Sequence, residues 1–306
     1  MKFLLMSDVH VDERQPVNRT DVIEITQLKK LEQVVAIASK HDAPILQAGD
    51  FTNRPTIANR TITRLLWLMR AHSVPFYCVS GQHDLLFRSY ENLGDTAMGV
   101  LAASGLYDII PPDISVDFGS VTVYGCHWGG EIPYPKNNNH SILVVHASVG
   151  EKLFTDHDIM SPQEFLKKHK FDLILVGDYH RPFIHKLQNK KTGVVRTIVN
   201  TGVLLRRSID EAEIEPKVAI YDTEDRSVSW QYIDYVPNVF KARKDAIEGV
   251  NELVEEVLAN IQQAKTISSD YRESVLRYVN SLKDIDEGVR ATIFNILDQA
   301  EEVVNA

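Results

Sequence analysis

Aspartate, histidine and side-chain amides recur at intervals along this chain, each time at the C-terminal end of an apolar run. The groups are Asp8-Val9-His10, Gly49-Asp50, Gly81-Gln82-His83-Asp84, His146 and Gly177-Asp178-Tyr179-His180, with Asn200-Thr201-Gly202 as a weaker sixth. Carboxylate oxygen, imidazole nitrogen and amide oxygen together form the donor set of a hard or borderline divalent metal. Taken singly, an Asp after a strand is commonly a turn or cap residue. A lone His is commonly a hydrogen-bonded core residue, and His41, His72, His157, His169 and His185 have that plain reading. Six groups in order, each following an apolar run, point instead to a metalloenzyme.

The runs before these groups, residues 3–6, 44–47, 76–79, 142–145 and 173–176, read as buried strands. Open sheets present functional groups at the carboxyl ends of their strands, so all of them can meet on one rim. Helix-spaced apolar residues fill 22–39 (Ile25, Leu28, Leu31, Val34, Val35, Ala38), 56–72 and 92–106. Strand and helix alternate, which predicts a layered α/β fold. Short β-like runs dominate 115–235, interrupted by one helix announced by the capping box Ser161-Pro162-Gln163-Glu164. Residues 129–139, with Pro133, Pro135 and three consecutive Asn, read as a mobile loop near the rim. Past Pro237 the composition turns to helix formers, with amphipathic stretches at 245–262, 270–282 and 285–304. The expected organisation is a catalytic domain over 1–235 and a helical C-terminal region over 236–306.

A chain of 306 residues can hold one large α/β domain with an appendage, and 44% apolar with 25% charged residues is ordinary for a globular protein. No apolar stretch is long enough to span a bilayer, so no membrane association is expected. The start, Met1-Lys2-Phe3-Leu4-Leu5-Met6, resembles a leader, but Asp8 and His10 cut the run short and it reads as the first strand. Cys78 and Cys126 form no CxxC pair. A disulfide scaffold and thiolate-held zinc are therefore not expected, and the expected compartment is the cytoplasm. A net charge of −9 argues against an autonomous basic nucleic-acid binder.

The ordered set Asp-x-His, Gly-Asp, Gly-x-His-Asp, His and Gly-x-x-His resembles that of the calcineurin-like metallophosphoesterases, over residues 2–235. The resemblance implies an α/β four-layer metallophosphoesterase sandwich, two mixed β-sheets flanked by helices. It also implies two divalent metal ions at one rim, Mn²⁺ foremost, with Mg²⁺ or Fe admissible. By position, Asp8, His10 and His180 hold the first ion and Asp50 bridges both. His146 and Asp178 complete the second, helped by the amide of Gln82. His83 stands beside the scissile phosphate, with Asp84 orienting it or capping a surface loop, and Asn53 joins them in the catalytic set. Two such cations can polarise a phosphoryl oxygen and steady the leaving oxygen, and a nearby histidine can protonate the departing alkoxide. Two positions depart from the family pattern. The usual Gly-Asn-His is here Gly-Gln-His, and the usual Gly-His-x-His is Gly-Asp-Tyr-His. Gln82 carries the same amide oxygen on a longer stem, and Asp178 is a hard ligand that favours Mn²⁺ or Mg²⁺.

Three stretches resemble the DNA-repair nuclease branch, the SbcD type and its phage recombination relatives. They are Gly49-Asp50-Phe51-Thr52-Asn53-Arg54-Pro55, then Asn200-Thr201-Gly202 followed by Arg206-Arg207, and Tyr235-Val236-Pro237-Asn238-Val239-Phe240. This implies a DNA nuclease with Arg54, Arg206 and Arg207 near substrate phosphates. The C-terminal helices would then dock on an SbcC-like ATPase, which could supply phosphate contacts that an acidic chain lacks. The residues leave other readings open: helices packed on their own core or on a second copy as a homodimer, a nucleotide phosphodiesterase or phosphatase, and a metal-bound scaffold without turnover.

Overall fold

In the first strand, β1 (Lys2–Met6), Phe3 and Leu5 point to one side and Leu4 and Met6 to the other, and all four are buried. A strand buried on both faces needs a continuous apolar run rather than alternation. The computed structural model describes residues 1–137, 139–151 and 159–241, and β1 lies in its first six-stranded sheet. There β1 runs parallel to β2 (Ile45–Ala48), β3 (Phe76–Val79) and β4 (Asp108–Ile109); on its other side β11 (Lys217–Asp222) pairs antiparallel with β1, and β12 (Ser227–Tyr232) antiparallel with β11. The second sheet holds β6 (Val121–Cys126), β7 (His140–His146), β8 (Leu173–Gly177) and β10 (Val195–Asn200) in parallel, with β5 (Ser115–Asp117) and β9 (Phe183–Gln188) antiparallel at its edges.

The sheets face each other through Phe3, Leu5 and Leu46 on one side and Val123, Ile142 and Leu175 on the other. Helices α1 (Ile23–Lys40), α2 (Asn59–His72) and α3 (Ala97–Ala103) cover the outer face of the first sheet, burying Leu31, Val34, Leu65 and Met98 against Leu4 and Ile45. Helix α4 (Pro162–Lys168) does the same for the second sheet with Phe165 and Leu166, and its Ser161–Glu164 capping box is present. Each such side chain contributes about 1.5–3 kcal/mol by leaving water. The result is the four-layer sandwich expected from the sequence.

Three local expectations differ. In α1, Ile25 is exposed, and the buried face includes Gln27 and Lys30. These polar residues are buried because each ties down a loop backbone: Gln27 Oε1 accepts from Asp12 N (3.1 Å) and Lys30 Nζ donates to Leu204 O (2.7 Å). Residues 92–106 are not one helix. A 3₁₀ segment, Tyr90–Asp95, precedes α3, whose start is set by Thr96 Oγ1 accepting from Gly99 N (3.1 Å). The 129–139 loop is tied rather than free at its far end, where Lys136 N donates to Tyr124 Oη (2.9 Å) and Asn137 Nδ2 to Thr122 Oγ1 (3.0 Å). No helix among the described residues is long and apolar enough to cross a membrane. The compact unit runs Met1–Lys241. Its last residues join the core through Thr20 N to Val239 O and Lys241 N to Asn18 O, each 2.8 Å. The amphipathic stretches expected after Asp245 lie outside the described residues.

Burial, with Arg206 and Arg19 beside it, drives the Lys30 ammonium down from 10.5 to about 7. The unfolded chain holds that proton up to 10.5, so unfolding takes up a proton between these values. This contribution to stability is complete above pH 10.5 and is lost as pH falls through about 7. Urea denaturation from pH 7 to 9 is expected to show stability rising by at most about 1.4 kcal/mol per pH unit. In Lys30→Met that rise should flatten, and an unchanged slope would rule out Lys30 as its source.

Candidate metal centre

Parallel register carries the polar groups to one rim. Strands β1, β2 and β3 end side by side and pass directly into Asp8, Asp50 and the Gly81 loop, while β7 ends in His146 and β8 leads into Asp178. Asp8, His10, Asp50 and Asp178 all have left-handed backbone, with φ of 46°, 54°, 51° and 93°. Non-glycine residues rarely adopt it, and its concentration here is the mark of a functional site under strain. Glycines make the close approach. A Cβ on Gly49, itself at φ 79°, would meet the His146 ring at 2.3 Å, and one on Gly81 would meet Asp50 Oδ1 at 2.1 Å.

Three overlapping donor groups form, in each of which the ligand atoms lie within 4.8 Å of one another: Asp8, His10 and His180; His10, Asp50 and His83; and Asp8, Asp50 and His146. His10 Nε2 and His180 Nε2 are 3.1 Å apart, a spacing suited to two imidazoles on one ion. His146 donates its Nδ1–H to Ala48 O (2.7 Å), leaving Nε2 aimed 3.4 Å from Asp50 Oδ2. Metal-binding histidines are held in this way through the other ring nitrogen. Buried polar atoms without a hydrogen bond are rare, yet His10 Nδ1, Gln82 Oε1 and His146 Nε2 are such atoms. Hard carboxylates, imidazoles and an orphaned amide oxygen fit divalent cations.

The electrostatics agree. Burial raises Asp8 to about 6 against the pull of His146 and His180. Burial opposes the charge on His146, but Asp50, Asp8 and Asp178 lift it to about 10. His180 likewise reaches about 9 against burial, through its hydrogen bond to Glu211 and the charge of Asp8. Burial drops His10 to about 3, so it is neutral and its Nε2 accepts from the charged His180. Asp50 stays well below the usual carboxylate range despite burial, because His146, His10 and His83 surround it. Protons occupy this site where cations fit, so metal binding must release them.

Five expected ligands, Asp8, His10, Asp50, His146 and His180, therefore meet. Gln82 and Asp178 sit at the edge and touch each other: Gln82 Nε2 donates to Asp178 Oδ1 (2.8 Å), and Gln82 Oε1 is left without a hydrogen bond. Asp178 is in none of the three groups, but its Oδ1 lies 3.8 Å from His146 Nε2 and its Oδ2 accepts from Ser148 Oγ. His83 keeps 46% of its side chain exposed, with Nε2 4.0 Å from Asp50 Oδ2. The partner orienting it is not Asp84 but the Asn53 carbonyl, which accepts from His83 Nδ1 (3.0 Å). Asp84 is fully buried, and its oxygens accept from Phe51 N, Thr52 N, Thr52 Oγ1 and Gly81 N. It staples two site loops together and neither caps the surface nor touches the imidazole. The Asn53 amide donates to Asp12 Oδ2 (2.9 Å).

Of the three arginines, Arg206 cannot reach a substrate. It is buried beneath the Tyr235 ring (4.5 Å), and its guanidinium donates to Ala212 O and Val236 O, both 2.6 Å. Arg54 and Arg207 remain at the rim, drawn to Asp12 at 3.0 and 3.6 Å. His41, His72, His169 and His185 lie outside the donor groups but are partly exposed rather than core residues, and His157 lies outside the described residues.

Glu211 is a residue that sequence reading missed. It is buried in a short 3₁₀ turn, accepts His180 Nδ1–H at 2.5 Å, and its other oxygen takes Arg207 N (2.6 Å) and Ser208 N (3.1 Å). The only sequence signal was the capping-box pair Ser208 and Glu211. Glu211→Gln is expected to weaken metal affinity by about 10–100-fold. Titration calorimetry with Mn²⁺ reads this, and an unchanged affinity would remove Glu211 from the centre.

Among solved structures, TT1561 of Thermus thermophilus is 14% identical, with a TM-score of 0.46, covering 76% of this chain and 99% of its own. A second, described as a novel archaeal phosphodiesterase, is 16% identical with a TM-score of 0.37, covering 76% and 100%. No curated protein was found to match. The family model described as calcineurin-like phosphoesterase matches residues 1–182, the stretch that carries every metal donor named above. With more than half its length matched, the chain belongs to the calcineurin-like phosphoesterase family.

Proposed function

We propose that this chain is a Mn²⁺-dependent phosphodiesterase that cleaves DNA, a nuclease subunit of the SbcD type serving repair or recombination. The observation that carries the reading is a half-exposed His83 facing a buried carboxylate–imidazole centre at Asp50 and His10. Asp8, His10 and His180 would hold one divalent ion and Asp50 and His146 another, with Gln82 and Asp178 beside the second. Such ions supply Lewis acidity toward a phosphoryl oxygen. The Asn53 carbonyl keeps a proton on His83 Nδ1 and points Nε2 at the rim. Protonated there, His83 is placed to donate to the departing oxygen.

The stretch 49–55 and the crossing at 235–240 favour the DNA branch. The crossing is clamped by Arg206 onto the catalytic unit, immediately ahead of the region proposed to dock on an SbcC-like ATPase. One observation favours a second reading, a nucleotide phosphodiesterase: both rim arginines are already paired with Asp12. The deciding experiment is a Mn²⁺-dependent assay on labelled linear and hairpin DNA, alone and with the ATPase, beside bis(p-nitrophenyl) phosphate and a cyclic nucleotide. DNA nicking or resection supports the nuclease. Hydrolysis of the small diesters without DNA cleavage replaces it by the second reading, and metal binding without any turnover leaves a scaffold.

A further inference from the structure

Beside the metal centre, beyond Trp128, lies a cavity of about 640 Å³ lined by Arg88, Tyr90, His127, Trp128, Glu91 and Glu131, among others. That volume is ordinary for a small-molecule site. We infer that it is a subsite for a nucleobase, stacked on Tyr90 and Trp128 while its phosphate rests at the metal centre. The inference rests on the phosphodiester reading of that centre.

Trp128 joins the two places. Its ring stands edge-on to that of His146 at 5.9 Å, and its backbone N donates to Ser80 O (3.0 Å), next to the Gly81-Gln82-His83 loop. Trp128 thus touches His146 of the centre and also lines the cavity. Tyr90 forms a second wall, backed by the His127 ring at 4.2 Å. His127 is locked, since its Nδ1 accepts from Ser80 N (2.9 Å) and its Nε2 donates to Ile110 O (2.8 Å). Burial holds it down at about 4, so this wall is rigid and neutral at pH 7. Such preformed aromatic surfaces suit base stacking, which tolerates any base because each has a π-face.

Charge separates base from phosphate as the occupant. Glu91, Asp113 and Glu131 outnumber Arg88 among the charged lining residues. A phosphate would be repelled there, whereas the amino groups of a base would find acceptors. The backbone leading into the lining residues adds a further observation. Phe87 and Arg88 both have left-handed backbone (φ 54° and 56°), and Phe87 is 85% exposed. A bulky residue in that conformation is a costly outlier, and here it presents an aromatic ring to solvent next to the cavity residue Arg88.

The test compares AMP with ribose 5-phosphate, which keeps the phosphate and lacks the base, by calorimetry on the full chain with Mn²⁺. AMP is expected to bind about tenfold more tightly, a typical stacking gain. Trp128→Ala should erase the difference and Trp128→Phe should keep it, which separates lost stacking from lost folding. Equal affinities for the two probes in the wild type, or an AMP advantage that survives in Trp128→Ala, overturns the subsite. Hydrolysis of bis(p-nitrophenyl) phosphate reports on the metal centre separately. Turnover without an AMP advantage removes only the subsite, and an AMP advantage without turnover removes only the reaction.

Discussion

Replacing His83 by alanine is expected to lower kcat roughly 10²–10⁴-fold, the usual contribution of a general acid, while two divalent ions remain bound. The expectation comes from how His83 differs from the other imidazoles. His146 and His10 have side chains at 0% and 4% exposure, enclosed by carboxylates. His83 is 46% exposed, and the Asn53 carbonyl holds it from outside the centre. Its donor atom also lies within reach of His10 and Asp50, so geometry alone permits it as a ligand. Metal content by inductively coupled plasma mass spectrometry decides. Activity lost with both ions kept supports the acid, and an ion lost along with activity makes His83 a ligand. A substrate with a good leaving group, p-nitrophenolate, should be hydrolysed with a much smaller defect, because that group needs no proton.

The second large effect is expected from Asp50→Asn. Asp50 belongs to two of the three donor groups, and its charge is the largest influence lifting His146. Without it, the stoichiometry should fall below two ions and kcat should fall at least about 10²-fold, since several kcal/mol of charge stabilisation depend on them. The fold should survive, because the same charge opposes ionisation of its buried neighbours Asp8 and Asp84. Differential scanning fluorimetry supplies a second readout. At 100 times the dissociation constant an ion stabilises the wild type by about 2.7 kcal/mol. For a domain of this size that is a rise in Tm of roughly 5–10 °C. The variant should lose most of it, and a full thermal shift with two ions retained would refute the bridging role.

Much of this centre was legible in one dimension because parallel strands impose a simple rule. A strand buried on both faces must be an apolar run, and the residue that follows it emerges on the rim. Asp8, Asp50, His146 and His180 could be collected on that basis alone. Polar residues buried for a single hydrogen bond leave no such periodic trace. Lys30 and Gln27 interrupt the buried face of α1 with polar side chains, and each reaches a loop backbone. Glu211 lies 31 residues beyond the histidine it orients, in a turn with no strand to announce it. Arg206 and Arg207 are neighbours of the same type, but one lies beneath Tyr235 and Phe240 and the other faces the rim.

The layered α/β pattern and the rim on which the donors meet were readable from residue order, since they follow from apolar runs and from the residues adjacent to them, while the two-sheet sandwich and the donors' roles were implied by the family resemblance. What those donors touch was settled by packing in three dimensions. Packing turned Asp84 from a partner of His83 into a buried staple of two loops. It also bonded the two departures from the family pattern, Gln82 and Asp178, to each other across 96 residues. The reason is physical: strand register follows from local pattern, whereas the partner of a buried polar group depends on which loops come within about 3 Å of it.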